Sequence, residues 1–281
     1  MKKYKEKIMQ VVFLLTACVS IAAVALICVY LLGNGIPTIF EIGLGNFFGT
    51  VWKPSKEMFG ILPMIVGSIY VTAGAIVIGV PVGLLCAIYL SRFCPKGIYR
   101  VLKPAVELMA GIPSIVYGFF GLMVIVPVIQ ELTGTSGKSL LTASILLGIM
   151  ILPTIISVAE SSLNAVPDSY YEGALALGAT HERSVFATIL PAAKSGVMSG
   201  VILGVGRAIG ETMAVIMIAG NQPIMPSGLL KGLRTMTANI VLEMGYASGL
   251  HREALIATGV VLFVFILIIN TCFSLLKRRD A

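Results

Sequence analysis

The sequence predicts an all-α polytopic membrane protein with six transmembrane helices and both termini cytoplasmic. Three observations carry that prediction. Only 12% of the 281 residues are charged, against about 25% in an ordinary soluble chain. Six apolar runs approach or exceed the ~20 residues needed to cross a bilayer. The basic residues divide unevenly between the two sets of loops, as they do around membrane spans.

Taken in order, the basic head Met1–Lys7 leads into an apolar run, Ile8–Leu32. That run is too long for a signal-peptide core and no small-residue cleavage site follows it, so it is expected as a retained first span. Residues 33–60 read as an outer loop rich in glycine and aromatics. Its Trp52, the single tryptophan, suits a membrane interface. The second span covers 61–90, with a kink expected at Pro81. A basic loop follows, with Arg92, Lys96, Arg100 and Lys103.

The third span is expected over 105–128. Gly111, Ser114, Gly118 and Gly121 fall on one face of it, a small-residue stripe for close helix contact. Residues 131–138 form a polar turn, and Leu140–Val158 is the fourth span. Residues 160–192 make a polar connection, and the fifth span runs over 193–219. A second outer loop, 220–253, carries Leu229, Leu230, Leu233, Met236, Ile240 and Val241 at helical spacing, which predicts an amphipathic interface helix. Ala254–Leu276 is the sixth span. The organisation is therefore a head, span and outer loop over 1–60, a membrane core over 61–276, and a basic tail over 277–281.

Six spans put both termini on one side. That side holds Lys2, Lys3, Lys5, Lys7, Arg92, Lys96, Arg100, Lys103, Arg183, Lys194, Lys277, Arg278 and Arg279. The opposite side holds only Lys53, Lys56, Lys138, Lys231, Arg234 and Arg252. The termini and the 160–192 segment are thus expected in the cytoplasm. The net charge of +7 follows from this topology and does not call for a nucleic-acid partner. The five cysteines show no paired spacing and read as small core hydrophobes, not as a disulfide framework or metal site.

Arg207 is the anomaly in this pattern. An arginine at mid-membrane costs at least ~2.5–3.5 kcal/mol unless it faces protein or water. On an unbroken helix Gly196, Gly200, Gly204, Arg207 and Glu211 share a face roughly 80° wide. That face must look into the bundle or onto a pathway. Arg207 offers a planar fork of donors suited to an oxyanion, with Glu211 as its resting counter-ion. The alternative role is a structural ion pair, although Arg before Glu at i,i+4 is the poorer order for supporting a helix. Ser114 and Tyr117 sit on or beside the small face of the third span and are candidates to line the same route. Glu107 and Glu160 are expected at the interface, near the ends of spans three and four.

Two motif fragments are rejected. Thr133–Ser139 lacks the first glycine of a phosphate loop and no strand precedes it; His181–Val185 has Val185 where a zinc-protease motif needs its second histidine. The chain is not expected to be an enzyme.

Glu172, Gly173, Ala174 and Gly178, followed by Leu190 and Pro191, resemble the EAA loop of ABC importer permeases. Gly173 departs from the family's second position, and Thr188 stands where isoleucine is usual. The stretches Leu102–Leu122, Ile151–Thr180 and Gly206–Asn221 resemble the permease of the phosphate ABC transporter, PstC-type. The resemblance implies a type I importer (MetI-like) fold in a prokaryotic cell membrane. It also implies a homologous PstA-type permease, two cytoplasmic ATPase subunits that bind ATP and Mg in place of this chain, and an extracytoplasmic phosphate-binding protein. Permeases for other oxyanions (molybdate, sulfate), a non-conducting scaffold, a secondary transporter and an intramembrane enzyme are the competing classes.

Overall fold

The computed structural model describes residues 2–279. Met1, Asp280 and Ala281, the last two belonging to the expected basic tail, lie outside the described residues. Among the described residues the fold is helical except for one two-stranded antiparallel hairpin, which pairs Trp52 with Phe59 and Lys53 with Met58.

Five helices are long and apolar enough to cross a membrane, and a bent pair makes a sixth span. The first helix, Lys2–Ile42, runs ten residues beyond the expected end and passes through Pro37. Its Gly33–Pro37 segment looks like a turn in the sequence. Helix wins because Gly35 presses on the last helix (Gly249–Arg279), where a Cβ would meet Val260 Cγ2 at 2.5 Å and Ala257 Cα at 3.2 Å. The Thr38 hydroxyl also donates to the Asn34 carbonyl at 2.9 Å. Elsewhere this helix presents its apolar side chains outward (Leu26 is 70% exposed), as a lipid-facing helix does.

The second helix, Leu62–Ile88, continues through Pro81 and ends in a π-turn at Tyr89–Phe93. It packs along the central helix, Leu140–Asn164, which starts on a Ser139 cap that accepts from the Thr142 N–H. Small residues set their approach. A Cβ on Gly74 would meet Ser144 Cβ at 2.6 Å, and one on Gly79 would meet Ile151 Cγ1 at 2.7 Å. The opposite flank of the central helix receives Lys194–Gly210, whose Gly196, Gly200 and Gly204 rest on Ser162, Val158 and Ile155. Lipid offers no hydrophobic drive between helices, so this close packing supplies much of the association. The result is a three-helix spine around Ile151 and Ile155, both fully buried.

Several expectations are corrected. The third span begins at Ser114, not at Ala105, and runs to Thr133. Residues 96–111 form a separate amphipathic helix, divided from the span by extended backbone at Ile112 and Pro113. Gly111 therefore leaves the small-residue stripe, whereas Gly118 and Gly121 keep it by packing on Ala214 and Leu146. The fourth span extends to Asn164, so the polar connection starts later than 160.

The fifth span is broken. His181–Ala192 meets Lys194–Gly210 at 72°, and a second interruption at Glu211 and Thr212 precedes the short helix Met213–Ile218. Pro191 lies in the first turn of the short helix Leu190–Ala192, ahead of the membrane helix. The expected interface helix over 229–241 is reduced to Met236–Met244. Residues 229–233 are instead a docked loop: the carbonyls of Leu229 and Lys231 accept from the N–H groups of Leu141 and Leu140. The first-turn donors of the central helix, with no partner within their own helix, are satisfied by that loop, which outweighs its helical periodicity.

Candidate functional site

Arg207 occupies the last turn of Lys194–Gly210 and is half-buried. Its Nη1 donates to Thr154 Oγ1 on the central helix at 3.4 Å, a long and therefore weak bond. A guanidinium carries five N–H donors, so the site has donor capacity beyond this contact. The chain leaves the helix immediately afterwards. Glu211 is extended, at φ −71 and ψ 125, and its Oε1 accepts from the Ala214 N–H at 3.2 Å. Glu211 therefore caps the short helix Met213–Ile218 and is displaced from the glycine face on which the sequence places it. No ion pair within 4.0 Å joins it to Arg207 among the described residues.

A backbone break beside a charged residue at membrane depth is tolerated where it is buried in protein or lines a water-filled path. Tyr117, on the third span, closes one side. It is buried in the same apolar cluster as Ala208 and Ala214, on either side of the break, and its hydroxyl donates to the Met109 carbonyl at 2.9 Å. The adjacent Gly118 seats the span against the helix beyond Glu211: a Cβ there would meet Ala214 Cα at 2.9 Å. Ser114 stands half-buried at the first residue of the same span. The structure thus gathers Arg207, Glu211 and Tyr117 around the break, with Ser114 one turn before Tyr117. Thr154 joins them and was missed by sequence reasoning, because a threonine in an apolar run carries no periodic signal.

The second candidate region is the surface helix Asp168–Ala176. Glu172 and Gly173 are exposed on it and Ala174 is half-buried. Tyr171 anchors it, packing on the cluster that includes Val185, Ile189 and Leu190; its hydroxyl lies 2.7 Å from His181 Nδ1. Gly178 ends the turn at φ +84, in the left-handed region that glycine enters without steric cost. Between this turn and the following helical segment is a groove of about 420 Å³ lined by Ala174, Leu177, Gly178, Arg183 and Thr188 among others. Leu177 beside it is 91% exposed. With Leu175 and Phe186 also exposed, this end carries apolar surface of the kind that marks a protein partner.

Below the surface helix lies a buried charge that the sequence placed at the interface. Glu160 is only 2% exposed, and both its oxygens are used: Tyr99 Oη donates to one at 2.8 Å and Lys103 Nζ to the other at 2.7 Å. For the lysine, burial alone would lower the pKa, but the bond to and the charge of Glu160 outweigh it and the net shift is upward. The Tyr99 hydroxyl is held neutral to higher pH, first by its bond to Glu160 and then by burial. Glu107, by contrast, is exposed and only 3.7 Å from Lys103.

A further polar cluster lies at the opposite end of the bundle. Trp52 is 5% exposed, and its Nε1 donates to Glu243 Oε2 at 2.9 Å. Glu243 also pairs with Arg234 and lies 2.8 Å from His251 Nε2. Trp52 is therefore a buried donor that ties the Trp52–Phe59 hairpin to the helix Met236–Met244. Only its separation of 191 residues from Glu243 hid this from the sequence.

Comparison with known proteins bears on these sites. Residues 79–279 match the family described as binding-protein-dependent transport system inner membrane component. A probable ABC transporter permease, YqgH of Bacillus subtilis, is 37% identical over 92% of this chain and 88% of its own length. The phosphate transport system permease PstC of Mesorhizobium japonicum is 35% identical over 92% and 88%. A probable PstC of Methanocaldococcus jannaschii is 32% identical over 84% and 82%. Among solved structures, a chain of a bacterial alginate ABC transporter superposes with a TM-score of 0.68 at 17% identity, over 95% of this chain and 94% of that one. A chain of the MetNI methionine ABC transporter gives 0.58 at 21%, over 79% and 94%. The six-span architecture is thus that of an ABC importer permease. With this match and this fold, the chain belongs to the family of binding-protein-dependent transport system inner membrane components, multi-pass permeases of the cytoplasmic membrane.

Proposed function

We propose that this chain is a PstC-type permease subunit that forms, with a homologous PstA-type permease, the route for inorganic phosphate. The termini and the Asp168–Ala176 helix face the cytoplasm, where two ATPase subunits bind ATP and Mg. An extracytoplasmic binding protein delivers phosphate to the opposite side. The observation that carries the reading is Arg207: a guanidinium held at a helix break by one long bond to Thr154, with Glu211 only one turn further along the chain. Spare donors in a planar fork suit a tetrahedral oxyanion, and a nearby carboxylate disfavours tight retention, which a transit point requires.

The coupling half of the proposal rests on the exposed surface around Glu172 and Leu177, held in place by Tyr171, which packs with Leu190 on the cluster of Val185 and Ile189. Alternating access follows when the partner ATPases close and push on this helix. The test is uptake of labelled phosphate at low concentration in cells lacking the gene and complemented with the normal chain, Arg207→Gln or Glu172→Lys. The normal chain rescues uptake; Arg207→Gln abolishes it at equal membrane levels and with the complex assembled; Glu172→Lys abolishes it together with stimulated ATP hydrolysis. Normal uptake by Arg207→Gln overturns the role of the arginine. Failure of the normal chain to rescue overturns phosphate as the substrate.

A further inference from the structure

The amphipathic helix Lys96–Gly111 buries none of its residues. Most of its apolar side chains point outward, with Val101 69% and Leu108 73% exposed. Polar contacts therefore play an outsized part in fixing it to the bundle. They fall in its first half and at its end, and reach different machinery. In the first half Tyr99 and Lys103, one helical turn apart, grip the two oxygens of Glu160 at 2.8 and 2.7 Å. At its end the Met109 carbonyl accepts from Tyr117 Oη at 2.9 Å, and Tyr117 borders the Arg207 break.

Glu160 sits one turn from the end of the central helix, and after residues 165–167 the surface helix begins at Asp168. The junction is braced on its other side. Arg92 Nη2 donates to the Leu163 carbonyl at 2.8 Å, Arg92 Nη1 is 3.7 Å from Asp168, and Ser91 donates to Asn164 Oδ1 at 2.6 Å. We propose that Glu160 and Lys103 are a positioning pair that carries movement of the Asp168–Ala176 helix to the Arg207 site, with the Lys96–Gly111 helix as the lever between them.

The lever has a pivot. Ile112 and Pro113 are extended, at ψ 126 and ψ 141, and the proline supplies no N–H to continue the helical ladder. The amphipathic helix can therefore swing relative to the third span without breaking an α-helical hydrogen bond. A displacement of the 160–168 junction is delivered to Tyr99 and Lys103, and leaves at Met109 as a shift of the Tyr117 hydroxyl. Coupling of this kind requires a contiguous set of contacts and an element with two arrangements; the ion pair provides the first and the 112–113 pivot the second. A static anchor is the competing role, and charge removal separates the two. Replacing both members of a buried pair by neutral residues leaves no uncompensated charge, so an anchor tolerates it while a transmission link does not.

The inference rests on the reading of Arg207 as a pathway residue and of the surface helix as the ATPase contact, so the experiment measures ATP hydrolysis and phosphate uptake on the same reconstituted complex. Its variants are Lys103→Met with Glu160→Gln, the charge swap Lys103→Glu with Glu160→Lys, and Tyr99→Phe. The neutral double variant is expected to assemble and hydrolyse ATP while phosphate moved per ATP falls about fivefold or more. The swap recovers most of that loss, and Tyr99→Phe gives an intermediate ratio. An unchanged ratio in the neutral double variant overturns the proposal, as does a swap that hydrolyses ATP but recovers nothing. If the double variant assembles poorly, Tyr99→Phe decides by the same ratio. Absence of phosphate uptake by the unmodified complex is a different outcome, and counts against the substrate reading beneath it.

Discussion

At the scale of single residues, the charges divide by what each can reach. Arg207 has a single weak partner and stands at a break in the backbone, whereas Arg234 and Glu243 are fully engaged with each other and with Trp52 and His251. The second set reads as structure, and its removal should be seen in stability. Glu243→Ala leaves Arg234 partly buried without its counter-ion, a loss of about 3–5 kcal/mol. Trp52→Phe removes one hydrogen bond to a charged acceptor and should cost about 1.5–3 kcal/mol. Thermal denaturation in detergent, comparing the two with the normal chain, checks both size and order. Lys103 adds a prediction in pH. Its pKa is raised in the fold, so its stabilising contribution is complete below the ordinary lysine value of 10.5 and is lost only as pH rises through the raised value. Stability measured on the normal chain and on Lys103→Met should therefore differ by a constant amount over about pH 6 to 9, and converge only above that range.

At the scale of elements, glycines separate into those that let helices touch and those that shape the backbone. Gly196 belongs to the first kind. A Cβ there would meet Ser162 Cβ at 2.6 Å, so Gly196→Val should force the central helix away at a cost of about 1–3 kcal/mol. Gly178 belongs to the second. Its φ of +84 makes Gly178→Ala unfavourable by about 1–2 kcal/mol. Gly173, in contrast, is helical with nothing within 4 Å of a Cβ. Gly173→Ala should gain about 0.5–1 kcal/mol in the surface helix. The three form a graded series whose order can be read from the yield of folded complex and its unfolding midpoint. If Gly173→Ala keeps stability but lowers stimulated ATP hydrolysis, the open space above Gly173 belongs to the partner.

At the scale of the whole molecule, the bundle is a spine of three close-packed helices with longer apolar helices laid outside it. Six crossings return the chain to its starting side, which makes loop accessibility the direct check. Single cysteines placed at Lys56, Lys138 and Tyr246 in a chain cleared of its own cysteines should react with an impermeant reagent applied outside intact cells. A cysteine at Glu172 should react only after the membrane is opened. Labelling of position 172 from outside would reverse the orientation and with it the coupling role of the surface helix.

Much of this was determined by the sequence alone. Hydropathy marks where the chain must leave water, because an apolar run of sufficient length has few other stable environments. The glycine positions along 196–204 announced a close helix contact, since small residues at helical spacing have that geometry wherever the partner lies. Arg207 was conspicuous as a charge where a charge is costly. Tertiary structure decided what those residues touch. Glu211 left the predicted face because the backbone breaks at it to start another helix. The segment 229–233 stayed out of a helix because its carbonyls satisfy the first donors of the central helix. Glu160 and Trp52 became buried because partners 57 and 191 residues away supply their hydrogen bonds. Periodicity is a local property and reports which face a residue occupies. Pairing across such distances depends on how the helices pack, and no local pattern encodes it.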